Sequence, residues 1–240
     1  MNPSRKRTSR TLAPDPAEIV PPGPDTRISA LRPLGTDGAA LVIMVDRKRV
    51  ATVDTTWAMD EGIRTDSPWT PELAARVHVA AKRRAALAHA IRLTGARQRS
   101  AFDLTRRLKM AGHDEADARG AVEKLIDLGL ISDESLATRL AEELARSGRH
   151  GRRGIENKLR VKGIKPDLAS RAAREAVNEE GDPDAATTLA HKRVRQLARF
   201  EPEVARRRLY AFLIRRGFDH DEARKATESA LSELASGELH

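Results

Sequence analysis

The side chains of this sequence that are best equipped for chemistry are the basic ones. The 240 residues include 44 lysines and arginines against 35 aspartates and glutamates, which gives a formal net charge of +9. Of these 44 residues, 34 are arginine and 10 are lysine. A planar guanidinium binds phosphate or carboxylate through two parallel hydrogen bonds, so the arginine excess favours an anionic partner. Net charge alone does not separate that role from a contribution to solubility.

Motifs that would give those charges a catalytic setting are missing. The sequence has no Gly-x-x-x-x-Gly-Lys-Ser/Thr loop, no His-Glu-x-x-His and no Gly-x-Ser-x-Gly. It has no cysteine, which excludes disulfides and thiolate metal sites. His78 and His89 lie about three turns apart on one predicted helix, too far to share a metal ion. We therefore expect no enzyme: no catalytic residue, no metal and no cofactor.

Composition predicts what kind of elements carry the charges. Hydrophobic residues make up 40% of the chain and aromatic residues only 3%, so a core of Leu, Ala, Val and Ile favours close helix packing over a β-sandwich. The longest apolar stretch, residues 39–45, is far shorter than the ~20 residues that a membrane span needs. The basic N-terminus lacks the apolar segment of a secretory signal. We expect a soluble, cytoplasmic protein.

The N-terminal third changes character along its length. Residues 1–26 are rich in proline, begin with a basic cluster and show no periodicity, which predicts a disordered tail. Residues 27–63 contain three β-type runs at 28–34, 40–46 and 49–53, then a short helix from 55 to 63, and so predict a small antiparallel meander. Thr70 and Pro71 then begin a connecting helix to about residue 93, within a region that spans 64–96.

Three similar segments follow in the helical remainder of the chain. Each has two apolar residues four positions apart, followed four positions later by glycine. The segments are Leu104, Leu108 and Gly112; Ile155, Leu159 and Gly163; and Leu209, Leu213 and Gly217. The apolar pairs share a helix face and predict core anchors, and each glycine predicts a left-handed helix end. We predict tandem three-helix repeats at 97–148, 149–201 and 202–240, the last one truncated.

Charge alternates with the same repeat. The anchor helices with their flanks carry +4, +6 and +5, whereas the helices that follow them carry −3, −4 and −3. Compensation within the molecule would explain any one of these pairs. Their recurrence favours a basic ridge along an elongated molecule, which would follow a repeating anionic partner. The candidate contact residues are Arg106, Arg107, Lys109, Arg152, Arg153, Lys158, Arg160, Lys162, Arg206, Arg207, Arg208, Arg215 and Arg216.

Several segments, in this order, resemble the RecX family of RecA modulators. They are Arg99-Ser100, the stretch 128–134 leading into a helix, 151–164 in the second repeat and 208–218 in the third. The resemblance covers about residues 97–235 and, more weakly, 27–96. Two features depart from the family pattern: Leu136 and Leu140 stand where aromatic residues are usual, and His113 follows the first glycine. We do not carry over contacts that depend on those aromatic rings.

The resemblance implies a fold, a partner and a function. The fold would be mainly α, an elongated and curved modular body with the β meander at its N-terminus. The protein would be a monomer that lies along the groove of a RecA–DNA filament, inhibits recombinase and ATPase activity, and modulates homologous recombination, DNA repair and the SOS response. Contact with DNA inside the filament is left open, and no membrane is involved. The alternatives are a helical-repeat protein that binds nucleic acid without RecA and a scaffold for an unrelated protein.

Overall fold

The structure, a computed structural model, describes residues 13–236 and is mainly α-helical with one small antiparallel sheet near the N-terminus. This confirms the predicted fold class. The described residues form two compact units, one made of 13–98 and 103–131 and the other of 99–102 and 132–236. No helix in these residues is long and apolar enough to cross a membrane.

The sheet consists of β1 (Ile28–Leu34), β2 (Ala40–Val45) and β3 (Lys48–Asp54), paired in that order. Asp46 and Arg47 both have positive φ, 48° and 62°, as a tight two-residue hairpin turn requires. The helices α2 (Thr55–Asp60) and α3 (Pro71–Ala96) follow. Trp69 is fully buried in the core between sheet and helices, and its indole N–H donates to the carbonyl of Val20 at 2.9 Å.

The segment preceding the sheet corrects the predicted tail. A short helix, α1 (Pro16–Ile19), begins at Asp15, whose carboxylate accepts from the Ala17 amide at 2.9 Å. Val20 is 5% exposed, because this segment covers one side of the core around Trp69. The tail prediction is therefore wrong from residue 13 onward. The basic cluster in the first ten residues lies outside the described residues.

Eight further α-helices follow α3 among the described residues. They are α4 (Ala101–Met110), α5 (Glu115–Asp127), α6 (Asp133–Arg146), α7 (Arg152–Val161), α8 (Pro166–Glu180), α9 (Ala185–Val194), α10 (Pro202–Arg215) and α11 (His220–Ser236). A 3-10 turn at Arg195–Leu197 extends α9. The side chain of Thr70 caps α3, the helix that Thr70 and Pro71 were predicted to begin, and the side chain of Ser132 caps α6.

The repeated pattern has the structural role predicted for it. Both apolar residues of each segment are fully buried, the leucines and the isoleucine of α4, α7 and α10 alike. The three glycines that follow have φ of 94°, 86° and 86°, the left-handed conformation that ends a helix. The residues after them, His113, Ile164 and Phe218, fold back and are buried as well.

The helices that share a core are not the ones that the predicted repeat boundaries group together. One core joins α6, α7 and α8, and another joins α9, α10 and α11; in the first unit α3 packs on α5. The boundary predicted at residue 201 thus separates α9 from the two helices with which it shares a core. We propose that α9 is the first helix of the third module, which then has three helices. We propose module limits of 133–180 and 185–236 for the second unit.

Candidate partner-binding surface

On α4 the three predicted contact residues have partners within the molecule. Arg106 and Arg107 donate to Asp103 at 3.2 and 2.9 Å, and Lys109 donates to Glu115 at 2.9 Å. The hydrogen bond from Lys109 is the main reason that the pKa of Glu115 lies below its ordinary value. Compensation within the molecule, the simpler interpretation of the charge pattern, therefore describes α4. Exposed pairs of this kind contribute about 0–1 kcal/mol each, so they remain exchangeable with an external anion.

The basic residues of α7 are in a different situation. Five predicted contact residues on or beside this helix are exposed, and none of them forms an ion pair with another described residue. They are Arg152, Arg153, Lys158, Arg160 and Lys162. The anchors Ile155 and Leu159 are buried in the module core. The exposed side of α7 therefore carries basic residues that no acidic side chain of the described residues compensates.

Helix α10 carries one ion-paired basic residue and several without an ion-pair partner. Arg206 lies 3.9 Å from Glu203 and 3.7 Å from Glu228, which compensate it. Four other predicted residues have no ion-pair partner among residues 13–236; Arg208 stacks 4.0 Å from the Phe200 ring centroid and Arg216 lies 5.2 Å from that of Phe212. These four are Arg207, Arg208, Arg215 and Arg216.

A backbone contact joins the basic ends of α7 and α10. The amides of Gly151 and Arg153, at the start of α7, donate to the carbonyls of Arg216 and Gly217 at 3.1 and 3.2 Å. The free amides at one helix N-terminus thereby satisfy free carbonyls at another helix C-terminus, and the helix dipoles meet at ends of opposite sign. The basic residues at the start of α7 and the end of α10 thus meet in one cluster of the second unit.

The same contact recurs one repeat earlier within that unit. The Ser100 hydroxyl donates to the carbonyl of Lys162 at 2.6 Å. Phe102 lies so close to Gly163 that a Cβ there would stand 2.6 Å from its Cδ1. In both places the glycine after an anchor helix lies against the start of the preceding anchor segment. The ridge that would include α4, α7 and α10 stays a prediction.

Histidines were missed by the sequence interpretation. The spacing of His78 and His89 gives no sign of a partner for His89, yet its Nδ1 lies 3.1 Å from Nε2 of His113. Burial lowers the pKa of both rings below the ordinary histidine value, so the neutral pair is favoured. His150, beside the cluster, has its pKa lowered to about 4, chiefly by burial and then by the charges of Lys158 and Arg216. Within residues 13–236 no group of three or more ligating side chains could hold a metal ion.

Two arginines outside the repeated segments were also missed. Arg193, at the end of α9, and Arg199, after the 3-10 turn, line a cavity together with Arg207, Arg208 and Arg215. They were overlooked because their segment is not part of the repeat. The signal in the sequence is a short stretch, 193–200, that holds three arginines and ends in phenylalanine.

Comparisons with known proteins agree with this architecture. The family model described as the third three-helix domain of RecX matches residues 180–227, which begin before α9 and end within α11. Regulatory protein RecX of Trichlorobacter lovleyi is 31% identical over 143 residues, 58% of this chain and 91% of that protein. Regulatory protein RecX of Myxococcus xanthus is 34% identical over 131 residues, 52% of this chain and 70% of that protein.

Solved structures show the same fold. The crystal structure of a regulatory protein RecX superposes with a TM-score of 0.71 at 18% identity, over 85% of this chain and 99% of that one. RecX from Lactobacillus salivarius superposes with a TM-score of 0.52 at 20% identity, over 62% of this chain and 96% of that one. At these identities the likeness concerns the fold.

Proposed function

Because this chain belongs to the RecX family of regulatory proteins, we propose that it binds the RecA–DNA filament and regulates recombination, DNA repair and the SOS response, mainly by inhibiting recombinase and ATPase activity. Binding alone would carry this function, through steric or allosteric control of the filament. The protein would act as a cytoplasmic monomer.

The observation that carries the proposal is the exposed, uncompensated basic surface of α7 and α10. The backbone of Arg153, at the start of α7, hydrogen-bonds to the residue after Arg216, at the end of α10, so the basic ends of the two helices adjoin. A filament offers repeated anionic groups, either DNA phosphates or acidic side chains, and guanidinium groups bind both bidentately. Such a surface also speeds the encounter with a polyanion. The ion-paired residues of α4 would contribute less.

Inhibition of RecA tests the function. ATP hydrolysis by RecA on single-stranded DNA is measured with this protein added well below the RecA concentration. Strong inhibition is the expected result. Absence of inhibition, together with avid and salt-dependent binding to naked DNA, would favour the alternative of a nucleic-acid-binding protein that acts without RecA.

Charge reversal tests the surface separately. In the triple variant Arg152→Glu, Arg153→Glu and Arg160→Glu, we expect the half-inhibitory concentration to rise at least about tenfold. Glutamate is favourable in the first turn of a helix, so the first two changes should leave α7 intact. The matched control reverses three exposed charges elsewhere in the same unit, at Arg174, Arg224 and Lys225. Equal effects of the two triples would remove the α7 surface from the mechanism while leaving the function standing.

A further inference from the structure

The module formed by α9, α10 and α11 contains a cavity of about 400 Å³ whose walls are dominated by arginine. Five arginines line it together with Phe200: Arg193, Arg199, Arg207, Arg208 and Arg215. They come from the end of α9, from the segment after the 3-10 turn and from one face of α10. On α10, Ala211 lies between these arginines, and its small side chain leaves the space open.

The charge of this cavity is not neutralised by the protein. No aspartate or glutamate lines it, and none of the five arginines forms an ion pair within residues 13–236. Like charges gathered this closely repel one another, which opposes folding of the module. A concave wall of one sign concentrates counter-ions, so the cavity is suited to an anion.

Aromatic rings hold several of the guanidinium groups in place. Two arginines contact the Phe200 ring: Arg208 lies 4.0 Å from its centroid and Arg199 lies 5.0 Å from it. Arg193 lies 5.3 Å from the centroid of Phe212 and also donates to the side chain of Gln196. Stacking occupies the faces of the guanidinium groups, whereas the N–H donors point outward in the plane and stay available. The Nε of Arg193 is buried and has no hydrogen-bond partner.

We propose that this cavity binds two or three adjacent phosphate groups. A terminal phosphate offers three acceptor oxygens and up to two negative charges, and an internal or diester phosphate offers two oxygens and one charge directly beside the next phosphate, whereas an acidic side chain brings a single charge. Five converging arginines therefore match an oligophosphate better than a single acidic side chain. The source is a free oligophosphate or the backbone of single-stranded nucleic acid. The proposal does not depend on RecA.

Equilibrium binding to the full-length protein tests the proposal with two probes, inorganic triphosphate and a short oligo(dT). The double variant Arg207→Gln/Arg215→Gln should weaken binding by about tenfold or more for each arginine removed. Ala211→Leu should also weaken binding by about tenfold or more, because it fills the cavity without changing the charge. The matched control Lys192→Gln/Arg224→Gln removes two exposed charges of the same module that do not line the cavity.

The pattern of losses separates the outcomes. Saturable triphosphate binding that falls in both cavity variants, but not in the control, supports a site for a free oligophosphate. The same pattern with oligo(dT) alone supports the nucleic-acid backbone as the source. Binding of neither probe, or equal losses in the cavity and control variants, overturns the proposal. Far-UV circular dichroism of every variant identifies any loss that comes from unfolding.

Discussion

Replacing Gly154 with alanine tests the contact that brings the basic ends of α7 and α10 together. Gly154 is the third residue of α7, in its first turn, and lies directly against the last residues of α10. A Cβ at this position would stand 2.0 Å from the carbonyl oxygen of Arg216 and 2.9 Å from its carbon. Real Cβ atoms do not approach a backbone atom this closely, so the end of α10 would have to move by more than 1 Å.

The structure sets the size of the effect. Overpacking of this kind costs about 1–3 kcal/mol. The displacement also stretches the two hydrogen bonds from Gly151 and Arg153 to α10, and each contributes about 1 kcal/mol. Alanine would otherwise stabilise the helix interior by about 1 kcal/mol relative to glycine. The expected net result is a loss of about 2–4 kcal/mol in the free energy of unfolding of the second unit.

Urea denaturation followed by far-UV circular dichroism measures this loss. Both tryptophans, Trp57 and Trp69, lie in the first unit, so their fluorescence gives a second and independent transition that Gly154→Ala should leave unchanged. The matched control is Gly120→Ala in α5, where nothing lies within 4 Å of the added Cβ; it should stabilise the first unit by about 0.5–1 kcal/mol. If Gly154→Ala proved as stable as the native chain, the tight junction between α7 and α10 would be refuted.

Three further changes have outcomes that the structure predicts. The pKa of His150 is lowered to about 4, so between about pH 6.5 and 4 only the unfolded chain takes up the proton, and the free energy of unfolding should fall as the pH drops through this range. Allowing for solvent screening, His150→Gln should remove about 1–2 kcal/mol of the difference between denaturation curves measured at pH 7.5 and pH 5. Leu159→Ala should cost about 2–5 kcal/mol of unfolding free energy, and Val161→Ala, which is 87% exposed, less than about 0.5. Ser132→Ala removes the cap of α6 and should lower the thermal midpoint, by a loss of about 1 kcal/mol.

Features that depend on neighbouring residues were predictable from the sequence. A helix begins at Ser132 and at Thr70 because a side-chain oxygen accepts a nearby amide, which is a local event. The anchors and the glycines follow from helix periodicity and from the rarity of left-handed backbone, and they lie where the pattern predicted. The turn at Asp46 and Arg47 was predictable in the same way.

Features that depend on packing between distant segments were not predictable. The proline-rich start was predicted to be disordered because it shows no periodicity, and the order of its four-residue helix α1 comes from contact with the core around Trp69. The helix pattern does not reveal whether α9 packs with the helices before it or with those after it. The sequence likewise did not separate the compensated arginines of α4 from the uncompensated ones of α7, since that difference depends on where Asp103 and Glu115 point.

The glycine at the end of α10 explains why the start of α7 can pack directly against it. A positive φ alone would permit asparagine at such a helix end at modest cost. At Gly217, however, a Cβ would stand 1.8 Å from the amide nitrogen of Gly154, and at Gly163 it would strike the side chain of Phe102. Gly163 and Gly217 therefore each meet two requirements at once, ending their own helix and admitting the start of the preceding anchor segment. Because Arg152 and Arg153 lie at the start of α7 and Arg215 and Arg216 at the end of α10, Gly217 also lets these two basic helix ends adjoin.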